Sequence, residues 1–179
     1  MNKTINLNAD LGESFGAWSM GDDEALLDIV ASANIACGFH AGDPWVMRRT
    51  VVAAKKRGVS IGAHPAFPDL QGFGRRRMDI PAAELEAMII YQIGALKAMA
   101  AAEGSCVSHV KPHGALSNMA CADPALADCV ARAVHAISPQ LILLAPAYSR
   151  LASAGERIGL PVILEIFADR AYQDDGQLV

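Results

Sequence analysis

This 179-residue chain is poor in the motifs that most readily betray a function. No G-x-x-x-x-G-K-[ST] run occurs, so there is no P-loop. No serine sits in a G-x-S-x-G elbow, which sets aside a triad hydrolase. The four cysteines, Cys37, Cys106, Cys121 and Cys129, show no C-x-x-C spacing. Cys121 and Cys129 fall in a predicted helical stretch and read as ordinary core cysteines, so a reduced, cytoplasmic protein is expected. No apolar run approaches the ~18 residues of a membrane-spanning helix, and the longest, "LILLAPA", has the length of a strand. The first residues, "MNKTINLNADLG", carry one Lys and no apolar h-region, unlike a secretory signal. Aromatics are only 6% of the chain, and the net charge of -4 gives no electrostatic case for nucleic acid or an anionic membrane surface.

What the chain does have is apolar residues, 53% of the total, enough for a sizeable core in one domain over residues 1–179. Strands are predicted at 4–10, 33–40, 59–65, 108–114, 140–146 and 161–169, with helices between them at 22–31, 44–57, 82–103, 124–137 and 149–158. Asp43-Pro44 and Asp123-Pro124 each supply an N-cap followed by Pro at the first helical position. The alternation is βαβαβ, so the sheet is expected to be parallel.

The placement of polar residues favours a β/α barrel over a doubly wound sheet. Strand ends read Asp10, His40, His64, Lys111 with His113, and Glu165 with Asp169. Within five strands the polar residues share one parity: Asn6, Asn8 and Asp10; Asn34 and His40; Ser60 and His64; His109, Lys111 and His113; Glu165 and Asp169. Successive strand residues face opposite sides. Helices cover the outside of a parallel sheet, so the polar parity is assigned to the interior and its mouth. Six βα units fill the chain, whereas a closed eight-unit barrel needs about 250 residues. An irregular barrel, incomplete at its C-terminal end, is therefore expected.

Several of these residues suit chemistry. His109 and His113 lie ~13 Å apart along a strand, too far to share one ion. His109 therefore reads as a buried, hydrogen-bonded residue of the floor, with Lys111 and His113 nearer the rim. His40 and His64 end neighbouring strands and, with Asp10, form either an Asp/His/His metal set or a metal-free acid/base set. Asp10 and Glu13 flank the turn "DLGES", where paired carboxylates suit proton transfer. The loop "PDLQGFGRRRMD" carries Arg75, Arg76 and Arg77, residues suited to gripping a carboxylate or phosphate or else solvated surface charge. Glu165 and Asp169 face inward by parity, with Arg170 as an ion-pair partner within reach.

Five motifs in order, "NADLGESFG", "NIACGFHAGDP", "GAHPAFPDLQGFGRR", "HVKPHGAL" and "EIFADRAY", resemble the LamB/YcsF family, the A-subunit family of bacterial 5-oxoprolinase. The matches run from residue 5 to 172. The resemblance implies an irregular β/α barrel akin to that of the polysaccharide deacetylases. It implies ATP-dependent opening of 5-oxoproline to L-glutamate in a complex with B and C subunits. It also implies a further strand and helices after "DDGQLV", absent from this sequence. Opening a lactam needs carbonyl activation, a water and protonation of the leaving nitrogen. The expected division of labour gives ATP-driven phosphorylation to the partner subunits. Asp10 with His40 or His64 then delivers water or protons, with His113 beside them. Lys111 and Arg75 hold phosphate or carboxylate, and Asn8, Glu13, Glu165 and Asp169 line the substrate. A stand-alone metal-dependent deacetylase or amidohydrolase, and a non-catalytic scaffold subunit, remain as alternatives.

Overall fold

The computed structural model describes residues 5–168 and 170–173. Its strands are β1 (Asn8–Leu11), β2 (Ser32–Ala36), β3 (Ser60–His64), β4 (Val107–Val110), β5 (Ile142–Pro146) and β6 (Val162–Glu165). The helices are α1 (Asp23–Leu27), α2 (Pro44–Arg57), α3 (Ala82–Ala102), α4 (Gly114–Ala122), α5 (Pro124–Ile137) and α6 (Arg150–Ile158). The strands form one parallel sheet in chain order. That sheet curls with its helices outside, an α/β half-barrel.

The parity argument matches this layering. Ala33 and Ile35, Ile61 and Ala63, and Leu143 and Ala145 are buried in the apolar layer beneath the helices. Helix and sheet meet closely there: a Cβ on Gly155 of α6 would lie 2.8 Å from side-chain atoms of Leu143 and Val162. Helix α3 is long and apolar enough to cross a membrane by length and composition, a property that scanning for unbroken apolar runs missed. It is a core helix. Leu85, Ile89, Ile93, Leu96 and Ala100 recur at helical spacing and are fully buried. Its Gln92 clasps the backbone of Ala66, accepting from the N–H at 2.9 Å and donating to the carbonyl at 3.0 Å.

Helix starts follow the sequence signals. Asp43 accepts from the N–H groups of Trp45 and Val46, and Asp123 from those of Ala125 and Leu126. The expected strands are too long at several ends. β1 begins at Asn8, where pairing with Ser32 begins, and Ile5 and Leu7 are 86% and 54% exposed because no described helix covers that edge. β2 stops at Ala36, so His40 stands in the following turn. β4 stops at Val110, just before Lys111-Pro112, because proline cannot donate to the ladder. α1 is five residues long, shorter than the 22–31 expected. Helix α4 had no counterpart in the sequence reading, and Cys121 and Cys129 stand on separate helices, α4 and α5.

Candidate functional site

The inward parity builds a polar interior in two layers. The lower layer centres on Asn34, fully buried on β2. Its amide donates to Asn8 Oδ1 at 2.7 Å and Asp10 Oδ1 at 2.9 Å, while its Oδ1 lies 3.0 Å from His109 Nε2. The His109 ring crosses over Gly62 so closely that a Cβ there would come within 2.1 Å of Nε2. His109 is thus the hydrogen-bonded floor residue that the spacing suggested. Burial first, and then the charges of Lys111 and His64, depress its pKa to about 4.

Lys111 ties the interior together. Its ammonium lies 2.8 Å from Glu165 Oε1, 3.2 Å from Asp10 Oδ1 and 3.2 Å from Asn8 Oδ1. Asn8 in turn donates to Glu165 Oε1 at 2.9 Å, linking β1 to β6. Burial alone would depress the Lys111 ammonium, but Asp10 and Glu165 outweigh it and raise its pKa. Burial would likewise raise the Asp10 carboxyl. The charge of His64 and its hydrogen bond, Lys111 and the Asn34 amide together hold it well below the usual carboxylate range. Lys111, Asn8 and Glu165 therefore engage one another inside the sheet. Asp169 lies outside the described residues.

The upper layer is a cluster of imidazoles at the C-terminal mouth. His64 Nε2 is 3.3 Å from Asp10 Oδ2 and 3.0 Å from His113 Nδ1. Glu13 Oε1 is 3.1 Å from His40 Nε2 and 3.5 Å from His113 Nδ1. The rings of His40 and His113 are stacked. Their outer nitrogens differ: His113 Nε2 bonds the Phe73 carbonyl at 2.8 Å, whereas His40 Nδ1 is buried with no partner among the described residues. Burial first, then the charge of His64, depresses His40 and His113 to about 3. Burial raises the Glu13 carboxyl, against the pull of His64 and His113.

The surrounding loops fix this cluster. Gly12 N–H donates to Asp23 at 3.0 Å, and Gly16 N–H to Asp43 at 2.8 Å, setting the turn that carries Glu13. In the 67–79 loop, Asp69 accepts from Gly72 N–H at 2.9 Å and pairs with Arg76, which holds the Asp69 carboxyl down at about 2. That loop places Phe73, at φ 55, with its carbonyl on His113. Gly74 follows at φ 64, where a Cβ would sit 2.9 Å from both His113 Cδ2 and His40 Cβ. Arg75 is exposed, with its guanidinium 5.7 Å from the Phe73 ring centre.

Asp10, His40, His64, Lys111 and His113 are thus brought together as the strand ends implied, and Glu13 joins them from the turn after β1. Among the described residues, the set with cation-ligating geometry is Glu13, His40, His64 and His113, whose donor atoms all lie within 4.8 Å of one another. The sequence set of Asp10, His40 and His64 differs because Asp10 is drawn to Lys111 and Asn34. Sequence reasoning passed over Asn34 as a hub and Asp69 as the anchor of the arginine loop. Asn34 carried a signal in its inward parity. The Phe73 carbonyl carried none.

The sequence matches the LamB/YcsF family over residues 5–179. It is 69% identical over 174 residues to the 5-oxoprolinase A subunit of Azoarcus sp. (strain BH72), covering 97% of this chain and 68% of the relative. It is 59% identical over 174 residues to the 5-oxoprolinase A subunit of Bacillus subtilis (strain 168), with the same coverage. The crystal structure of a lactam utilization protein from Thermus thermophilus matches with a TM-score of 0.95 at 47% identity, over 99% of this chain and 72% of the other.

Proposed function

The chain belongs to the LamB/YcsF family, and on that footing we propose that it is the ring-opening A subunit of a 5-oxoprolinase, hydrolysing 5-oxoproline to L-glutamate with ATP and partner subunits B and C. The observation that carries this reading is the pairing, at one mouth, of an ionised carboxylate with an imidazole cluster. Asp10, held ionised by His64 and Lys111, faces His64 at 3.3 Å, with Glu13, His40 and His113 beyond it.

Asp10 receives a proton from the attacking water as its oxygen bonds to the lactam carbon. The C–N bond then breaks, and the same proton passes to the leaving nitrogen. A carboxylate held so low is a weak base, so the carbonyl must be activated. Phosphorylation of the carbonyl oxygen by the partner subunits supplies that activation, since this chain has no P-loop; the ring then opens to the acyl phosphate of glutamate, both protons of the attacking water ending on the nitrogen, and a second water releases the phosphate. The imidazole cluster stands beside Asp10 at the same mouth. Arg75, exposed at the rim, holds the substrate carboxylate or the phosphate, while Lys111 acts through Asp10 rather than on the substrate. The four cysteines are free, which supports a cytoplasmic setting.

The three subunits supplied with 5-oxoproline and ATP test the reading through glutamate release. Asp10→Asn should reduce it by about a hundredfold or more; unchanged release removes Asp10 from the chemistry and leaves the scaffold reading. A second reading, a metal-dependent amidohydrolase acting alone, draws on the Glu13 and histidine cluster. Its mark is turnover without ATP or partners.

A further inference from the structure

We propose that Glu13, His40, His64 and His113 form a site for one divalent cation of the zinc and cobalt class, with three imidazole nitrogens and one carboxylate oxygen as donors. The argument begins with tautomers, which the neighbouring carbonyls assign. His64 Nδ1 lies 2.6 Å from the Lys111 carbonyl, and His113 Nε2 lies 2.8 Å from the Phe73 carbonyl. A carbonyl only accepts, so those nitrogens carry the N–H of each ring. In the neutral rings His64 Nε2 and His113 Nδ1 are then bare lone pairs, yet they face each other at 3.0 Å. Asp10 Oδ2, a third acceptor, approaches His64 Nε2 at 3.3 Å. Acceptors converge in this way only around positive charge.

A single proton on His64 Nε2 would satisfy His113 Nδ1 and Asp10 Oδ2. It would leave Glu13 and His40 as a separate pair 3.1 Å apart, with the Glu13 oxygen 3.5 Å from His113 Nδ1. A cation accounts for all four donors at once. Donors ~2.1 Å from a tetrahedral ion stand ~3.4 Å from one another, and the three close contacts of 3.0, 3.1 and 3.5 Å span that value. The backbone carbonyls behind His64 and His113 are the bonds that orient metal-ligating histidines. Three imidazoles with one carboxylate suit a borderline ion, not magnesium or calcium, which prefer oxygen. The ring-opening reading is needed only for the task of the cation, polarising the reacting oxygen; the site itself stands on geometry.

The chain stripped with chelator and titrated with cobalt(II) tests it, by visible absorption and equilibrium dialysis. One cobalt per chain with tetrahedral-intensity bands, displaced by zinc, is expected. Glu13→Gln and His113→Gln should each weaken binding at least about tenfold, a lower bound set by the loss of mere orienting partners. Asp10→Asn, which removes only a neighbouring charge, should weaken binding less than Glu13→Gln does. Absence of cobalt binding by the folded chain overturns the proposal, as does undiminished binding by Glu13→Gln. Loss of binding in Asp10→Asn with Glu13→Gln unaffected also overturns it, by moving the ion to Asp10. Circular dichroism checks folding, and the near-isosteric Glu13→Gln carries the test if His113→Gln does not fold. Because glutamate is not the readout, a chain that binds cobalt and releases no glutamate keeps the site and loses the ring-opening reading.

Discussion

The imidazoles of His40 and His113 lie stacked, with centroids 3.9 Å apart and planes 4° from parallel. One ring comes from the turn after β2 and the other from the N-cap of α4. A Cβ on Gly74 would press against both residues, and its φ of 64 disfavours any other residue. Gly74→Ala should destabilise the fold by about 1–2 kcal/mol and disturb the stack. Denaturant unfolding measures the first effect, and the histidine ring resonances in NMR measure the second. A variant with unshifted rings would show that the loop does not set their spacing.

Lys111 is buried between two carboxylates, and its removal leaves both without their cation. Lys111→Met should cost about 3–5 kcal/mol, the usual result of breaking a buried pair from one side. Adding Glu165→Gln to Lys111→Met should recover part of that loss, because one of the two uncompensated charges goes with it. Additive losses in the double variant would mean that the pair is energetically unimportant.

His109 makes stability depend on pH. Its folded pKa of about 4 lies below the ordinary 6.5. The unfolded chain therefore binds a proton first as pH falls. The contribution of neutral His109 is fully present above pH ~6.5 and declines as pH falls toward 4, reaching about 2 kcal/mol of loss at pH 5. His109→Gln should flatten that part of the profile, and unfolding free energies at pH 7 and pH 5 for both chains decide it. Equal slopes would remove His109 as a cause.

Gly62 and His109 should behave as one unit. Gly62→Ala collides with the His109 ring and should break its bond to Asn34, whereas Gly62→Ala combined with His109→Ala removes the collision. The double-variant cycle should show a coupling within about 0.5–3 kcal/mol. Simple additivity would indicate that the ring moves aside at no cost.

Periodicity made the interior legible wherever the residue sits in or directly after a strand. Asn8, Asp10, His64, Lys111 and Glu165 were placed inward by the two-residue period alone, and they meet there. His40 reaches the cluster for another reason: it stands in a turn, where strand parity does not apply. Glu13 likewise depends on a turn held by Asp23 and Asp43. Helix α4 escaped because "SHVKPHG" reads as strand through residue 114 and His113 supplies no capping bond to mark a helix start. The link from Asn8 to Glu165 was also hidden, since it depends on how tightly the whole sheet curls.

That link has a kinetic meaning. Asn8 and Glu165 are 157 residues apart in sequence, and Lys111 must find both ends of the sheet to be neutralised. Such distant pairing carries a large loop-closure cost and slows folding. Until β1 and β6 have both docked, the Lys111 ammonium has no dry environment and no reason to leave water. The polar interior is therefore a checkpoint of completion: the mouth acquires its charge pattern only when the first and last described strands have taken their places.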